Sequence, residues 1–108
     1  MSKALTEFFG PAQLTNAAAT KYTVPASSLA IIRYIHVSNP TGAAVTFTMS
    51  IGADAAATRI YDVLSIPSGS VFDVWCLHPV AAATIIQAFA GVAASLVLTF
   101  SGDLITLG

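Results

Sequence analysis

From Ala43 to Ile51 the chain changes side at every residue: Ala43, Val45, Phe47, Met49 and Ile51 alternate with the smaller or polar Ala44, Thr46, Thr48 and Ser50. A period of two belongs to a strand with one face on a core, because successive side chains of a strand point to opposite sides. Ser95 to Ser101 repeats it, with Leu96, Leu98 and Phe100 on one side and Ser95, Val97, Thr99 and Ser101 on the other. Ala30 to Asn39 is richer in β-branched and aromatic residues, and Asn39-Pro40-Thr41-Gly42 supplies the turn out of it. Further runs at Lys21 to Val24, Arg59 to Ile66, Ser70 to Leu77 and Thr84 to Ala90 are bounded by Gly, Pro, Ser or Ala. About eight short strands with turns at regular intervals predict an all-β sandwich or barrel. No segment carries a helical stripe capped at both ends, and Ala53 to Thr58 makes at most a turn.

An internal repeat narrows the choice. Val24-Pro25-Ala26-Ser27-Ser28-Leu29 recurs 42 residues later as Ile66-Pro67-Ser68-Gly69-Ser70-Val71, and the same offset pairs His36 with His78 and Phe47 with Phe89. Proline presets the first corner of a tight turn and Gly or Ser tolerates the second. The two hexamers therefore mark equivalent corners of one antiparallel β-sandwich, jelly-roll-like in plan. Residues 20–108 make up this domain. Residues 1–19 are set apart as an extended N-terminal arm, with apolar Leu5, Phe8, Phe9 and Leu14, a Gly10-Pro11 break and a small-residue tether from Asn16 to Thr20. Such an arm would add a strand to a neighbour's sheet edge; the alternative is a first strand folded onto its own sandwich.

Charge is scarce. Four Lys and Arg and five Asp and Glu are all that 108 residues carry, 8% of the chain, while 56% is hydrophobic. A soluble domain ordinarily has about 25% charged residues, so a membrane, identical subunits or a larger assembly must cover part of this surface. Val80 to Phe100 is free of charge for 21 residues, long enough to span a bilayer. Gln87, Gly91 and Pro79 interrupt it, no Lys or Arg follows Arg59, and its period is that of strands, so it is read as two strands turning at Ala90-Gly91-Val92-Ala93 rather than as a membrane helix. Glu7 stands where a secretory signal needs an unbroken apolar run, so none is read. The scattered cations make no phosphate-tracking stripe, which argues against nucleic acid as a partner.

Residues able to do chemistry are few. Cys76 is single, which excludes an intrachain disulfide and a multi-cysteine metal site, and its apolar setting reads as a small buried hydrophobe. His36 and His78 have no Cys or carboxylate at ligand spacing. Asp54, Asp62 and Asp73 lack the polar cleft that paired carboxylates need, and no nucleophile elbow, phosphate loop or dinucleotide fingerprint occurs. The chain is accordingly read as a non-enzyme without cofactor or metal. Alternation sets Arg33 beside Ile31, Ile35 and Val37, either exposed at an edge or buried against a carboxylate, with Asp73 as the candidate partner. Trp75 and Tyr34 read as core or interface anchors.

The Val24-Pro25-Ala26-Ser27 turn, the strand Ile31 to Asn39, the Ile66-Pro67-Ser68-Gly69 corner and the closing strand Leu96 to Gly102 resemble those of small bacteriophage virion proteins of the head-decoration (cement) or tail-associated type, over roughly residues 20–106. Leu77-His78-Pro79-Val80 departs from the pattern, standing where such proteins often carry a Gly-Asp turn. The resemblance implies a structural protein made in the host cytoplasm and carried on the virion, which binds the outer capsid surface as a homotrimer and stabilises contacts between major capsid protein subunits. Head-tail joining, a tail station, or a carbohydrate-binding module at a fibre tip are its alternatives. The expected contact residues are Phe8 and Phe9 in the arm and His78 and Pro79 in the atypical loop.

Overall fold

A computed structural model of the chain describes residues 2–107. Eight strands follow in order: β1 (Ser2–Gln13), β2 (Ala19–Thr23), β3 (Ser28–Ser38), β4 (Val45–Ile51), β5 (Arg59–Ile66), β6 (Val71–Val80), β7 (Ile85–Ala90) and β8 (Val97–Thr106). They form two four-stranded antiparallel sheets, β1-β8-β3-β6 and β2-β7-β4-β5. Four of the pairs join β1 to β8, β2 to β7, β3 to β6 and β4 to β5. This is the pairing of one long hairpin rolled up, which β3 against β8 and β4 against β7 complete. The sheets close face to face on the residues that the period of two marks: Phe47 and Met49 from β4, Leu98 and Phe100 from β8, Ile32 and Ile35 from β3 and Ile86 from β7 are all at 0% exposure.

The two repeated hexamers are equivalent corners. Val24 and Ile66 are each 1% exposed, and each leads the chain from the second sheet to the first, at β2 to β3 and at β5 to β6. Ser27 and Gly69, matched by the repeat, both take the left-handed conformation, with φ of 57° and 68°. At the second corner the Ser70 amide donates to the Pro67 carbonyl at 3.1 Å, closing the turn. The run from Val80 to Phe100 is the last residue of β6, a turn, β7, a loop and the start of β8. No helix among the described residues is long and apolar enough to cross a membrane.

Residues 2–13, set apart above as an arm, are a strand of the sandwich: β1 pairs with β8 from Ser2 opposite Thr106 to Gln13 opposite Val97. Phe8 is why. Its ring enters the core, 6% exposed, against Tyr22 at 4.8 Å and Phe100 at 6.2 Å. Gly10-Pro11 does not end the strand; it sits in a register shift between Phe9 and Ala12. There Gly10, at φ 86°, lets the backbone approach so closely that a Cβ would overlap the Leu98 carbonyl oxygen. The first and last residues of the chain, Met1 and Gly108, lie outside the described residues.

Arg33 is also placed differently from the alternation. It is an extra residue in β3: Ile32 and Tyr34 lie opposite Gly102 and Ser101, consecutive residues of β8. A bulge of this kind reverses the phase of the strand, so Ile32 and Ile35 both face the core while Arg33 and Tyr34 both face out. The turn of backbone leans on Gly102, where a Cβ would overlap the Ile31 carbonyl oxygen and lie 2.9 Å from the Arg33 amide nitrogen. β3 is central rather than an edge, and the partner of Arg33 is Asp103, not Asp73.

Candidate interaction face

The two sheets present very different outer faces. On the second, the loop after β4 folds back across the strands. Its Gly52 amide donates to Ile85 O at 2.7 Å and its Asp54 amide to Gln87 Oε1 at 2.9 Å. Arg59 then closes the surface: its Nε and Nη2 donate to the two oxygens of Asp54 at 2.9 and 3.1 Å, and its Nη1 to Asp62 at 2.6 Å. Its guanidinium carbon lies 5.7 Å from the Phe89 ring centre, a cation over an aromatic face. The hydrogen bonds from Arg59 hold the Asp54 carboxyl below its ordinary range. Thr48 and Ser50 point away from the core on this side and are still only 2% and 1% exposed. The chain itself covers the centre of this face, and Val63 on the edge strand β5 is its one large exposed hydrophobic residue among the described residues, at 56%.

The outer face of the first sheet is open. Register sets its side chains in rows: Leu5, Asp103, Ile31 and Pro79 across β1, β8, β3 and β6, then Glu7, Ser101, Tyr34 and Trp75. Leu5 is 85% exposed, Trp75 80%, Leu77 63% and Val71 54%. These are four of the seven large hydrophobic residues exposed among the described residues, gathered on one side of one sheet. Trp75 lies against Tyr34 with ring centres 4.4 Å apart, and Tyr34 leans on His36 at 6.3 Å.

Fixed polar groups stand among these apolar side chains. The Tyr34 hydroxyl donates to Asp73 Oδ1 at 3.1 Å, and His36 Nδ1 meets the same oxygen. Arg33 Nε donates to Asp103 Oδ2 at 2.6 Å, with Lys3 Nζ 3.6 Å from that atom. The Arg33 hydrogen bond, helped by Lys3, keeps the Asp103 carboxyl below its ordinary range. The hydroxyl of Thr99 donates to the Glu7 carboxylate. Five of the nine charged residues thus stand on this face, each held by a neighbour rather than free in solvent.

Of the four contact residues expected from the sequence, one is here. Pro79 is exposed, opposite Ile31. Phe8 is in the core, which withdraws it from any partner; Phe9 is half-buried, stacked on Phe100 at 6.0 Å with Lys21 Nζ 5.3 Å from its ring centre. His78 is half-buried and turned inward, because Leu77 to Val80 ends strand β6 and is not a loop. Cys76 is half-buried, its thiol 3.5 Å from the Ile32 carbonyl and pushed up by burial. Sequence reasoning leaves Trp75 open between core and interface anchor, gives Leu5 only as one of the arm's apolar residues and does not single out Leu77, although one signal is visible. Both faces of Val71 to Val80 are apolar, which a strand with one face in water does not need.

The face is flat: no pocket occurs among the described residues. Nor does any group of three His, Cys, Asp or Glu among them stand close enough to hold a metal ion. What the arrangement can do is bind by surface, through aromatic and aliphatic side chains with charged and hydrogen-bonding groups among them. Comparison with protein-family models, curated proteins and solved structures returns no match.

Proposed function

We propose that the protein is a structural component of a bacteriophage virion. In this reading it is a decoration or cement protein that docks as a homo-oligomer on the outer capsid surface and reinforces contacts between major capsid protein subunits. The observation that carries it is the contrast between the two sheets. A chain with nine charges spends three of them covering the centre of one face and leaves Trp75, Leu77 and Leu5 in the open on the other. A rigid sandwich with one apolar, pocket-free face is suited to lie on another protein surface. We take the rolled-hairpin strand order as the jelly-roll plan found in capsid proteins among others, and stabilisation then follows by mass action, since a ligand that binds only the assembled shell favours it over its parts. No catalytic step and no cofactor enter this role.

Co-sedimentation of the purified protein with capsids that lack it tests the proposal. Saturable binding that raises the capsid's heat resistance is expected. A folded protein that stays in the supernatant at every concentration overturns it. One observation favours a second role: Tyr34 and Trp75, from neighbouring strands, form an exposed aromatic ledge beside the Asp73 and Arg33 networks, as a saccharide-binding sandwich would require. Retention on host-surface polysaccharide, lost on replacing Trp75, would put the protein at a fibre tip instead.

A further inference from the structure

A two-sheet sandwich has four edges, and three of these are blunted. β1 carries Lys3, Glu7 and two register shifts around Gly10-Pro11. β2 is five residues long and broken between Thr20 and Tyr22, with Lys21 at the break. β5 bulges at Asp62 and Val63, where Val63 takes φ 50° and donates its amide to the Thr48 hydroxyl at 3.1 Å, and Arg59 and Asp62 add charge. Bulges, short strands and charges are the means by which proteins stop edges from pairing.

β6 is the least defended, with one register shift, opposite Arg33, one charge, Asp73, and one proline near its end, Pro79. It runs ten residues, with an unbroken register against β3 from Val71 to Trp75. Beyond Trp75, Cys76 and Leu77 together face Arg33, yet inner and outer residues go on alternating to Pro79. Its outer row is Val71, Asp73, Trp75, Leu77 and Pro79, and Asp73 is its one charge, drawn over the sheet by Tyr34 and His36. A long apolar edge of this kind, left uncovered, would aggregate.

We infer that β6 pairs antiparallel with β6 of a second copy about a two-fold axis, joining the two first sheets into one of eight strands. The occupant is a second copy because the strand is complementary to itself. With Trp75 on the axis, Asp73 lies across from Leu77 of the other copy and Val71 across from Pro79. No like charges are opposed, which would be unfavourable directly across a ladder. Two copies of a chain with net charge −1 also repel each other little. The pairing supplies partners for outward amides and carbonyls of β6 up to Pro79, which has no amide to donate, and gathers two Trp75 rings on one surface. It replaces the three-fold arrangement that the resemblance implies, and it stands whether or not the protein decorates capsids.

Native mass by light scattering and amide hydrogen exchange, each at dilute and concentrated protein, test the inference. The expected mass is twice 11.1 kDa, with exchange slowed on concentration in β6 and unchanged in β1, β2 and β5. Leu77→Lys, a charge on an exposed edge position, should give a folded protein of single mass. A monomer at all concentrations, a three-fold mass, or an oligomer whose β6 amides exchange as fast as in the dilute protein overturns the pairing. Protection of β6 that arises only on adding capsids also overturns it while leaving the decoration role standing; a β6-paired dimer that ignores capsids does the reverse.

Discussion

Trp75→Ala separates the stability of the sandwich from the work of its open face. A tryptophan offers up to about 250 Å² to burial, and with 80% of Trp75 exposed only about 50 Å² is already covered. At about 25 cal/mol per Å² that burial contributes ~1 kcal/mol, and loss of the stacking on Tyr34 adds about another 0.5–1.5 kcal/mol. The isolated protein should lose about 1.5–2.5 kcal/mol. The remaining ~200 Å² is worth about 5 kcal/mol gross when a partner covers it, and truncating a well-placed interface tryptophan typically costs at least about 2 kcal/mol of binding. Docking on the face should then weaken about thirtyfold or more, read as capsid co-sedimentation, while urea unfolding shifts modestly. Phe100→Ala is the control: at 0% exposure it should cost ~3–5 kcal/mol of stability. Equal destabilisation by the two variants, or docking of Trp75→Ala within threefold of the parent, would refute the assignment of this face.

Three further outcomes are expected. Deleting residues 2–15 removes β1 together with Phe8 and Leu14, so the truncated chain should fail to fold cooperatively, seen as loss of a sharp thermal transition, whereas loss of a detachable arm would leave that transition in place. Gly102→Ala forces a methyl group into the Ile31 carbonyl, with no rotamer to relieve it, and should destabilise by about 3 kcal/mol or more in denaturant titration. Because Asp103 has its carboxyl held below the ordinary value of 3.8, the folded state gains from its ionisation. That gain is complete above about pH 5 and disappears as pH falls through the folded value, so Asp103→Asn should flatten the acid limb of a stability-versus-pH profile and leave pH 6 to 8 parallel to the parent.

Strands were legible because burial writes itself into period two, and β4 and β8 stand almost where alternation puts them. The corners were legible because a repeated Val-Pro or Ile-Pro hexamer has few conformations open to it. Neighbours across a sheet were not. Tyr34 and Trp75 lie 41 residues apart in the chain and touch only because β3 and β6 are adjacent, a fact of topology that no local pattern carries. The bulge at Arg33 escaped for a related reason: its permission comes from Gly102, a residue on another strand. Gly10-Pro11 misled in the opposite direction, since a proline that would break a central strand is tolerated on an edge.

The shortage of charge takes on a specific meaning once the strands are placed. Spread evenly, nine charges would leave every face of the sandwich weakly dressed. They are instead spent unevenly. Arg59, Asp54 and Asp62 cap one sheet, Lys21 sits on Phe9 of β1, and the other five stand on the opposite face, each held by a neighbour. Had low charge been a matter of composition alone, the exposed hydrophobic residues would be scattered singly, as on any soluble protein. Four of the seven among the described residues lie instead on the outer face of the first sheet, three of them along β6, its least defended edge, and this is the surface we propose as an interface.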